Sequence, residues 1–220
     1  MCPFGKEAGW NKLSQLPPWL RELGEKIQVS AEVLQAMNLP REKFVDQEGF
    51  NANVLTSNAL PIGRGQTISQ PITVARMTQS IYEIKPKKVL EIGTGSGFQT
   101  AVLSRLVDMV YTVERIQNIQ LDSIRRLYKL DIYNFKAICS DGSQGWATYA
   151  PYDAIIVTAA AASEIPSALL EQLKNGGRMI IPVGTEQQQL MQIDKTGKGQ
   201  IIKKSLGTIN FVPLVTGETS

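Results

Sequence analysis

Histidine is absent from this chain of 220 residues. Its absence removes the usual zinc ligand sets and every imidazole-based triad or acid/base pair. Cysteine occurs only as Cys2 and Cys139. One lies near a terminus and the other in an apolar run, so neither a disulfide framework nor a metal site is expected. No apolar run approaches the ~20 residues of a membrane-spanning helix, and the first residues lack the basic-then-apolar layout of a leader. A cytoplasmic protein with no membrane partner is expected. The net charge of +3 is small, and a nucleic-acid surface needs basic residues concentrated on one face. The densest cluster, Lys85, Lys87 and Lys88, reads as a solvated loop entering a strand, and no nucleic-acid partner is expected. There is no internal repeat or low-complexity tract. With 43% hydrophobic residues, the chain can bury one substantial core, most simply as one domain with an extension.

What is present is a concentration of glycine after one apolar run. Lys88, Val89, Leu90 and Ile92 read as a short buried strand, and Gly93, Gly95 and Gly97 follow at alternate positions. These glycines cannot continue the strand, so the backbone turns tightly and lies open to a ligand. The dinucleotide fingerprint G-x-G-x-x-G places a pyrophosphate at a helix N-terminus. Here the third glycine comes one position early, and Glu91 just before the turn would sit badly beside a phosphate. A second carboxylate, Glu114, ends the apolar run Met109 to Val113, 21 residues beyond Gly93, where it can accept both hydroxyls of a ribose. Adenosine without a pyrophosphate fits this pattern better than a dinucleotide. A turn that only lets a helix pack near a strand is the plainer alternative, and it would win for a lone G-x-G. Glu91, three glycines and Glu114 together favour a ligand.

Before the turn, Pro17 and Pro18 predict the start of a helix using Trp19, Leu20 and Leu23, with Gly24 as its stop. Ser30 is placed to cap a second helix carrying Val33, Leu34 and Met37. The pair reads as a cover and not as core. From Asp46 to Gly65 the chain is rich in Asn, Gly, Ser and Thr, and so long an irregular stretch suggests a lid or binding loop. It enters Gly65-Gln66-Thr67-Ile68-Ser69-Gln70-Pro71, where Pro71 suits a first helical position and Ser69 or Gln70 suits the cap. Taken alone, capping accounts for Thr67 and Ser69. Beyond the glycine turn, helices are expected over about 98–106, 116–130 and 165–173, the last stopped by Gly176-Gly177. Strands are expected to end at Glu114 and to cover 135–139, 153–157 and 179–183. This βαβα order predicts an α/β protein with a mostly parallel sheet covered on both faces. After Gly184 three strands without helices, 189–193, 201–206 and 209–214, should complete the sheet in antiparallel fashion, the first two joined by a hairpin at Asp194 to Gly199.

The pattern E-x-G-x-G-x-G with a downstream acid resembles S-adenosylmethionine-dependent methyltransferases. A closer resemblance runs block by block through Leu60 to Pro71, Val89 to Gly97, Val113-Glu114-Arg115-Ile116, Asp141-Gly142-x-x-Gly145-Trp146, Ala150 to Ile155, Gly176 to Gly184 and Phe211-Val212-Pro213-Leu214. These blocks resemble the protein-L-isoaspartate (D-aspartate) O-methyltransferase family from about residue 30 to 215. The resemblance implies a Rossmann-like methyltransferase fold with one domain over 30–220 that includes a substrate loop over 46–71; residues 1–29 match nothing in the family and are expected to form a partly helical N-terminal extension. It also implies methylation of the L-isoaspartyl carboxylate of aged proteins and peptides, with the ester collapsing to a succinimide. S-adenosyl-L-methionine would be the co-substrate and S-adenosyl-L-homocysteine the product. By the same resemblance Ser69 and Thr67 are catalytic, and Gln66 and Ile68 bind substrate. Glu91, Gly93, Thr94 and Gly95 belong to the cofactor set, Glu114 holds the ribose, and Asp141 with Gly142 faces the adenine. Arg64 and Ile72 stand where many relatives carry an aromatic or histidine and an aromatic, which bears on substrate preference.

The implied chemistry suits a chain without histidine. A carboxylate with a reference pKa near ~4 is already ionised at neutral pH, so attack on a sulfonium methyl needs alignment and not a general base. Turnover is therefore expected to vary little between about pH 6 and 8. Methylation of RNA or a small molecule is an alternative on the same fold, although the Asn/Asp-Pro-Pro-aromatic motif for base amino groups is missing. A non-catalytic adaptor that binds the adenosyl ligand is another. A monomer is expected.

Overall fold

The computed structural model describes residues 15–45 and 58–219. The expected lead-in over residues 1–12 and most of the expected lid lie outside them. Nine strands are present among the described residues. Leu60–Pro61 (β1) and Thr67–Ile68 (β2) pair as a small antiparallel hairpin. The other seven, Lys88–Ile92 (β3), Met109–Glu114 (β4), Phe135–Cys139 (β5), Tyr152–Val157 (β6), Leu173–Val183 (β7), Gln188–Lys195 (β8) and Ile201–Ile209 (β9), form one sheet in the order β5-β4-β3-β6-β7-β8-β9. β3 to β7 run parallel, whereas β8 and β9 are added antiparallel.

The alternation of side chains along each strand splits the core between the two faces of the sheet. Val89, Val110, Ala154, Ile156 and Ile180 join one cluster, whereas Leu90, Ile92, Tyr111, Val113, Ile155, Val157 and Met179 join the other. The helices Pro71–Tyr82, Phe98–Ser104 and Gln117–Lys129 send Met77, Phe98 and Leu127 into the first cluster. The short helix Ser167–Gln172 sends Leu169 into the second.

The two N-terminal helices, Pro18–Lys26 and Ala31–Ala36, are part of that first core and not a cover laid over it. Leu20, Val33 and Met37 have no exposed surface and cluster with Val74, Phe98 and Val102. Ser30 caps the second helix, its hydroxyl accepting from the Val33 N–H at 3.4 Å. Gly24 does not stop the first helix, which continues to Lys26. A side chain there would put its Cβ 2.8 Å from Leu34 Cδ1, so this glycine permits close approach of the two helices.

Two further expectations are corrected. Gly176 and Gly177 do not separate helix from strand, because β7 begins at Leu173 and carries both glycines in an irregularity where its register against β6 shifts. Ile209 to Leu214 does not form a third antiparallel strand. After β9 this run leaves the sheet and crosses the carboxyl end of β6, where Ala160 N–H donates to Val212 O and Leu214 N–H to Ala160 O, both at 2.8 Å. Pro213 between them has no N–H to offer a ladder. Among the described residues no helix is long and apolar enough to cross a membrane, and no group of three or more His, Cys, Asp or Glu side chains is placed to hold a metal ion.

Candidate active site

The chain runs from β3 outward through β4 to β5, then returns to place β6 on the other side of β3. In open α/β sheets the crevice at such a reversal, beyond the carboxyl ends of the strands, is where ligands bind. A cavity lies there, walled by Gly93 and Gly95 after β3, Glu114 and Arg115 at the end of β4, Gly142 after β5 and Thr158 after β6. Gln66 and Thr67 of the hairpin close one side, and Val212 to Val215 of the C-terminal segment close another. Its volume is ≈ 60 Å³, well below the roughly 300–1,000 Å³ of small-molecule pockets.

The glycine turn is shaped by its neighbours. Gly93 has φ +91°, and a Cβ there would run into Thr158 Oγ1. That hydroxyl donates to Ile92 O at 3.0 Å and Gly93 O at 2.8 Å. Gly95 has φ +51°, and its N–H donates to Glu114 Oε2 at 3.0 Å. The other carboxylate oxygen of Glu114 accepts from Arg115 N–H at 2.9 Å and Ile116 N–H at 3.1 Å. One carboxylate thus ties the glycine turn to the end of β4 while still facing the cavity. The absence of side chains at Gly93 and Gly95, with an acceptor of this kind between them and β5, fits an adenosyl ligand.

Not every residue in the implied cofactor and substrate sets faces the cavity. Glu91 points away from it, because alternation along β3 puts Glu91 with Val89 on the face covered by the helix Phe98–Ser104. There it is fully buried and receives the Thr100 hydroxyl. Burial, reinforced by the charge of Glu114, pushes its carboxyl up to about 8. Thr94 is also turned inward, its hydroxyl 2.7 Å from that of Thr112, and Ile68 is buried in the first core cluster. These three shape the site through the backbone and do not line it. Ser69 is half-buried beside the hairpin, outside the cavity wall. It does not cap the following helix, which starts after Gln70 with Pro71 and has no side-chain cap.

Asp141 is engaged within the protein. Oδ1 accepts from the Ser143 N–H at 2.9 Å and the Ser143 hydroxyl at 2.7 Å, and Oδ2 accepts from Gly217 N–H at 2.8 Å. Burial opposes its charge, but the donors from Gly217 and Ser143 hold its carboxyl below the ordinary range. Replacing Asp141 by alanine should therefore loosen both the turn after β5 and the C-terminal segment. We expect a fall of several degrees in Tm at neutral pH, where ~1 kcal/mol corresponds to roughly 2–4 °C for a chain of this size. Because the carboxyl is depressed in the folded state, this contribution is present above its unfolded-state pKa and disappears as pH falls through the folded one. Thermal melts of both proteins from pH 7 to pH 3 check this, and a difference in Tm that does not narrow on acidification would refute it.

The residues after Gly142 are locked from another direction. Gln172 accepts from Trp146 N–H at 2.8 Å and donates to Gln144 O at 2.8 Å, filling the space that a side chain at Gly145 would need. Sequence reading missed Thr158 and the wall formed by Val212 to Val215 as site components. The first had a signal, a small polar residue at the carboxyl end of a parallel strand. The second had none beyond the resemblance of Phe211 to Leu214. Burial and the charges of Glu218 and Glu114 push the Cys139 thiol pKa up.

A parallel sheet reversing at β3, a glycine turn after that strand and a carboxylate ending β4 define a Rossmann-like S-adenosylmethionine-dependent methyltransferase fold. The model of the protein-L-isoaspartate(D-aspartate) O-methyltransferase family matches residues 19–219, and the chain belongs to that family. The match includes residues 19–29, in keeping with the burial of Leu20 and Leu23. A protein-L-isoaspartate O-methyltransferase of Vibrio atlanticus is 54% identical over 188 residues, covering 85% of this chain and 89% of the relative. One of Vibrio cholerae is 51% identical over 208 residues, covering 94% and 97%. Among solved structures, a protein-L-isoaspartate O-methyltransferase superposes with TM-score 0.79 at 28% identity, covering 89% of this chain and 64% of that longer one. A Plasmodium falciparum protein described as a member of the same family, in complex with S-adenosyl-L-homocysteine, superposes with TM-score 0.77 at 26% identity, covering 90% and 96%.

Proposed function

We propose that this protein transfers a methyl group from S-adenosylmethionine to the carboxylate of L-isoaspartyl residues in damaged proteins and peptides, the first step of their repair. The observation that carries this reading is family membership across residues 19–219. The cavity supports it, because its wall joins the glycine turn and Glu114 to Gln66 and Thr67. Bound S-adenosylmethionine supplies a methyl group on a positively charged sulfur. In this reading Gly93 and Gly95 run along its methionine part, Glu114 accepts the ribose hydroxyls, and Gly142 with Asp141 borders the adenine. Glu91 and Thr94 hold the turn from behind. Gln66, Thr67 and Ser69 orient the substrate carboxylate with neutral hydrogen bonds, and Ile68 anchors their hairpin in the core. The carboxylate oxygen attacks the methyl carbon as the carbon–sulfur bond breaks, giving a methyl ester and a thioether. No proton moves, so no base is needed, and what the residues supply is alignment and exclusion of water.

The same reading treats residues 30–220 as one methyltransferase domain with residues 1–29 as its extension. It describes a cytoplasmic monomer that acts on isoaspartyl proteins and not on nucleic acid. Transfer of labelled methyl to matched peptides containing L-isoaspartate or L-aspartate tests the function. Label should enter only the isoaspartyl peptide and leave as methanol in mild base; equal labelling of both peptides, or base-stable label, would overturn the reading. Ser69→Ala should lower kcat roughly ten- to a hundred-fold, the scale of one orienting hydrogen bond. Unchanged kcat would remove Ser69 from the machinery.

A further inference from the structure

Arg41 lies outside every motif that carried the functional reading, yet it is 3% exposed. It opens the 3₁₀ turn Arg41–Phe44, whose last residue is fully buried and meets the Phe98 ring edge-on, centroids 5.2 Å apart. Phe98 is the first residue of the helix that follows the glycine turn. The turn bearing Arg41 is thus fixed in the core close behind the candidate active site.

From that anchor one guanidinium nitrogen, Nη2, donates to two main-chain carbonyls, Asn58 O and Ser69 O, each at 2.8 Å. These carbonyls flank the open end of the hairpin formed by β1 and β2, one before β1 and one after β2, opposite its loop. With two residues in each strand, the hairpin is too short to hold itself, since isolated two-stranded hairpins are marginal in water. Its loop is Ile62 to Gln66, with Gly63, Arg64 and Gly65 all at positive φ, and Ile62 approaches the glycine turn from above Gly95. Leu60, Ile62 and Ile68 seat the hairpin in the first core cluster, and the clamp at its open end is the restraint that acts on the Ser69 backbone directly. Burial lowers the Arg41 pKa to about 10, which leaves the guanidinium charged at neutral pH, and hydrogen bonds from a charged donor are the stronger ones.

We propose that Arg41 is a positioning residue for methyl transfer, joining the two chains at the open end of the β1–β2 hairpin so that Ser69 meets the substrate carboxylate. This rests on the reading of Ser69 as an orienting residue. Lysine keeps the charge, but its flexible stem ends one bond short of Nη2 and has no rigid guanidinium plane to hold a donor between the two carbonyls, so R41K is the main variant and R41A the harsher one. If R41A fails to fold, R41K carries the test alone.

The experiment measures kcat and KM on an L-isoaspartyl peptide, together with S-adenosylhomocysteine affinity by calorimetry. The proteins compared are the parent, R41K, S69A and the R41K/S69A double variant. R41K should lower kcat about tenfold or more while changing S-adenosylhomocysteine affinity less than about twofold. In the S69A background the same substitution should cost less than about threefold, because the group it positions is gone. An equal loss in both backgrounds would overturn the proposal with the Ser69 reading intact. Loss of S-adenosylhomocysteine affinity in step with kcat would reduce Arg41 to a general structural role and overturn it equally. An S69A protein with parental kcat would sink the Ser69 reading and the proposal with it.

Discussion

Replacing Glu114 by alanine should weaken S-adenosylhomocysteine binding on the order of a hundredfold and also lower the protein's stability. Its spacing from the glycine turn gives this carboxylate a role toward the ribose alone. The geometry changes that expectation. The carboxylate accepts the N–H groups of Gly95, Arg115 and Ile116 and is only 7% exposed, so its removal leaves three donors without an acceptor at once. Leaving a buried donor unmade costs ~1–3 kcal/mol, less where water reaches it. Because Gly95 borders the cavity and can recover a water, a total of roughly 2–4 kcal/mol is expected. Loss of hydrogen bonds between a charged acceptor and the ribose hydroxyls adds the affinity term, ~1.5–3 kcal/mol for each. Glu114→Gln separates the two effects. Its carbonyl oxygen can still serve Arg115 and Ile116, but its amide would then face the Gly95 N–H donor to donor. It should keep more of the stability than alanine does and still lose affinity. Calorimetric titration beside thermal melts makes the comparison, and an unchanged Kd in a destabilised alanine variant would mean that Glu114 only braces the turn.

The parallel half of the sheet was legible because its signals are local. Apolar runs bounded by turn residues predicted Phe135–Cys139 at its observed limits and Met109–Glu114 with its terminal acid. What was lost depended on distant partners. Gly24 was read as a helix stop, whereas its meaning lies in Leu34 of another helix. The run Ile209 to Leu214 has the composition of a strand, but its hydrogen bonds go to Ala160, which no period within the run reveals. Arg41 sits among polar neighbours in the sequence, and nothing nearby announces that it is buried against two remote carbonyls. Glu91 differs in kind. Alternation along β3 sets Glu91 opposite Leu90 and Ile92, the latter a residue of the cavity wall, so the direction of its side chain was available from the two-residue period. The glycines that follow drew attention to the ligand instead.

That buried carboxyl carries the last expectation, a pH dependence of stability in a protein without histidine. Glu91 lies beneath the helix Phe98–Ser104 and receives the Thr100 hydroxyl, while its other oxygen, Oε1, makes no hydrogen bond. The charged neighbour on its face of the sheet is Glu114, two residues along from its register partner Thr112. Burial first, and the Glu114 charge after it, raise the carboxyl from 4.5 to about 8. Between those two values the folded protein keeps a proton that the unfolded chain releases, so stability must fall as pH rises through that window and level off above about pH 8. The slope approaches roughly 1.4 kcal/mol per pH unit at its steepest. Glu91→Gln copies the neutral acid in shape and has nothing to titrate. It should match the parent near pH 5 and exceed it in urea resistance at pH 8 by at least ~2 kcal/mol, a conservative share of that integrated slope. The level turnover expected from the substrate carboxylate alone between about pH 6 and 8 is then narrowed: it should hold from pH 6 to 7, where Glu91 is neutral, and decline toward pH 9 in the parent but not in the glutamine variant, because a charged Glu91 is forced against the helix that follows the glycine turn. Urea melts of both proteins at pH 5, 6.5 and 8 decide the matter. Parallel pH dependence in the two would mean that Glu91 is ionised in the fold and that water or a shifted hydroxyl satisfies it.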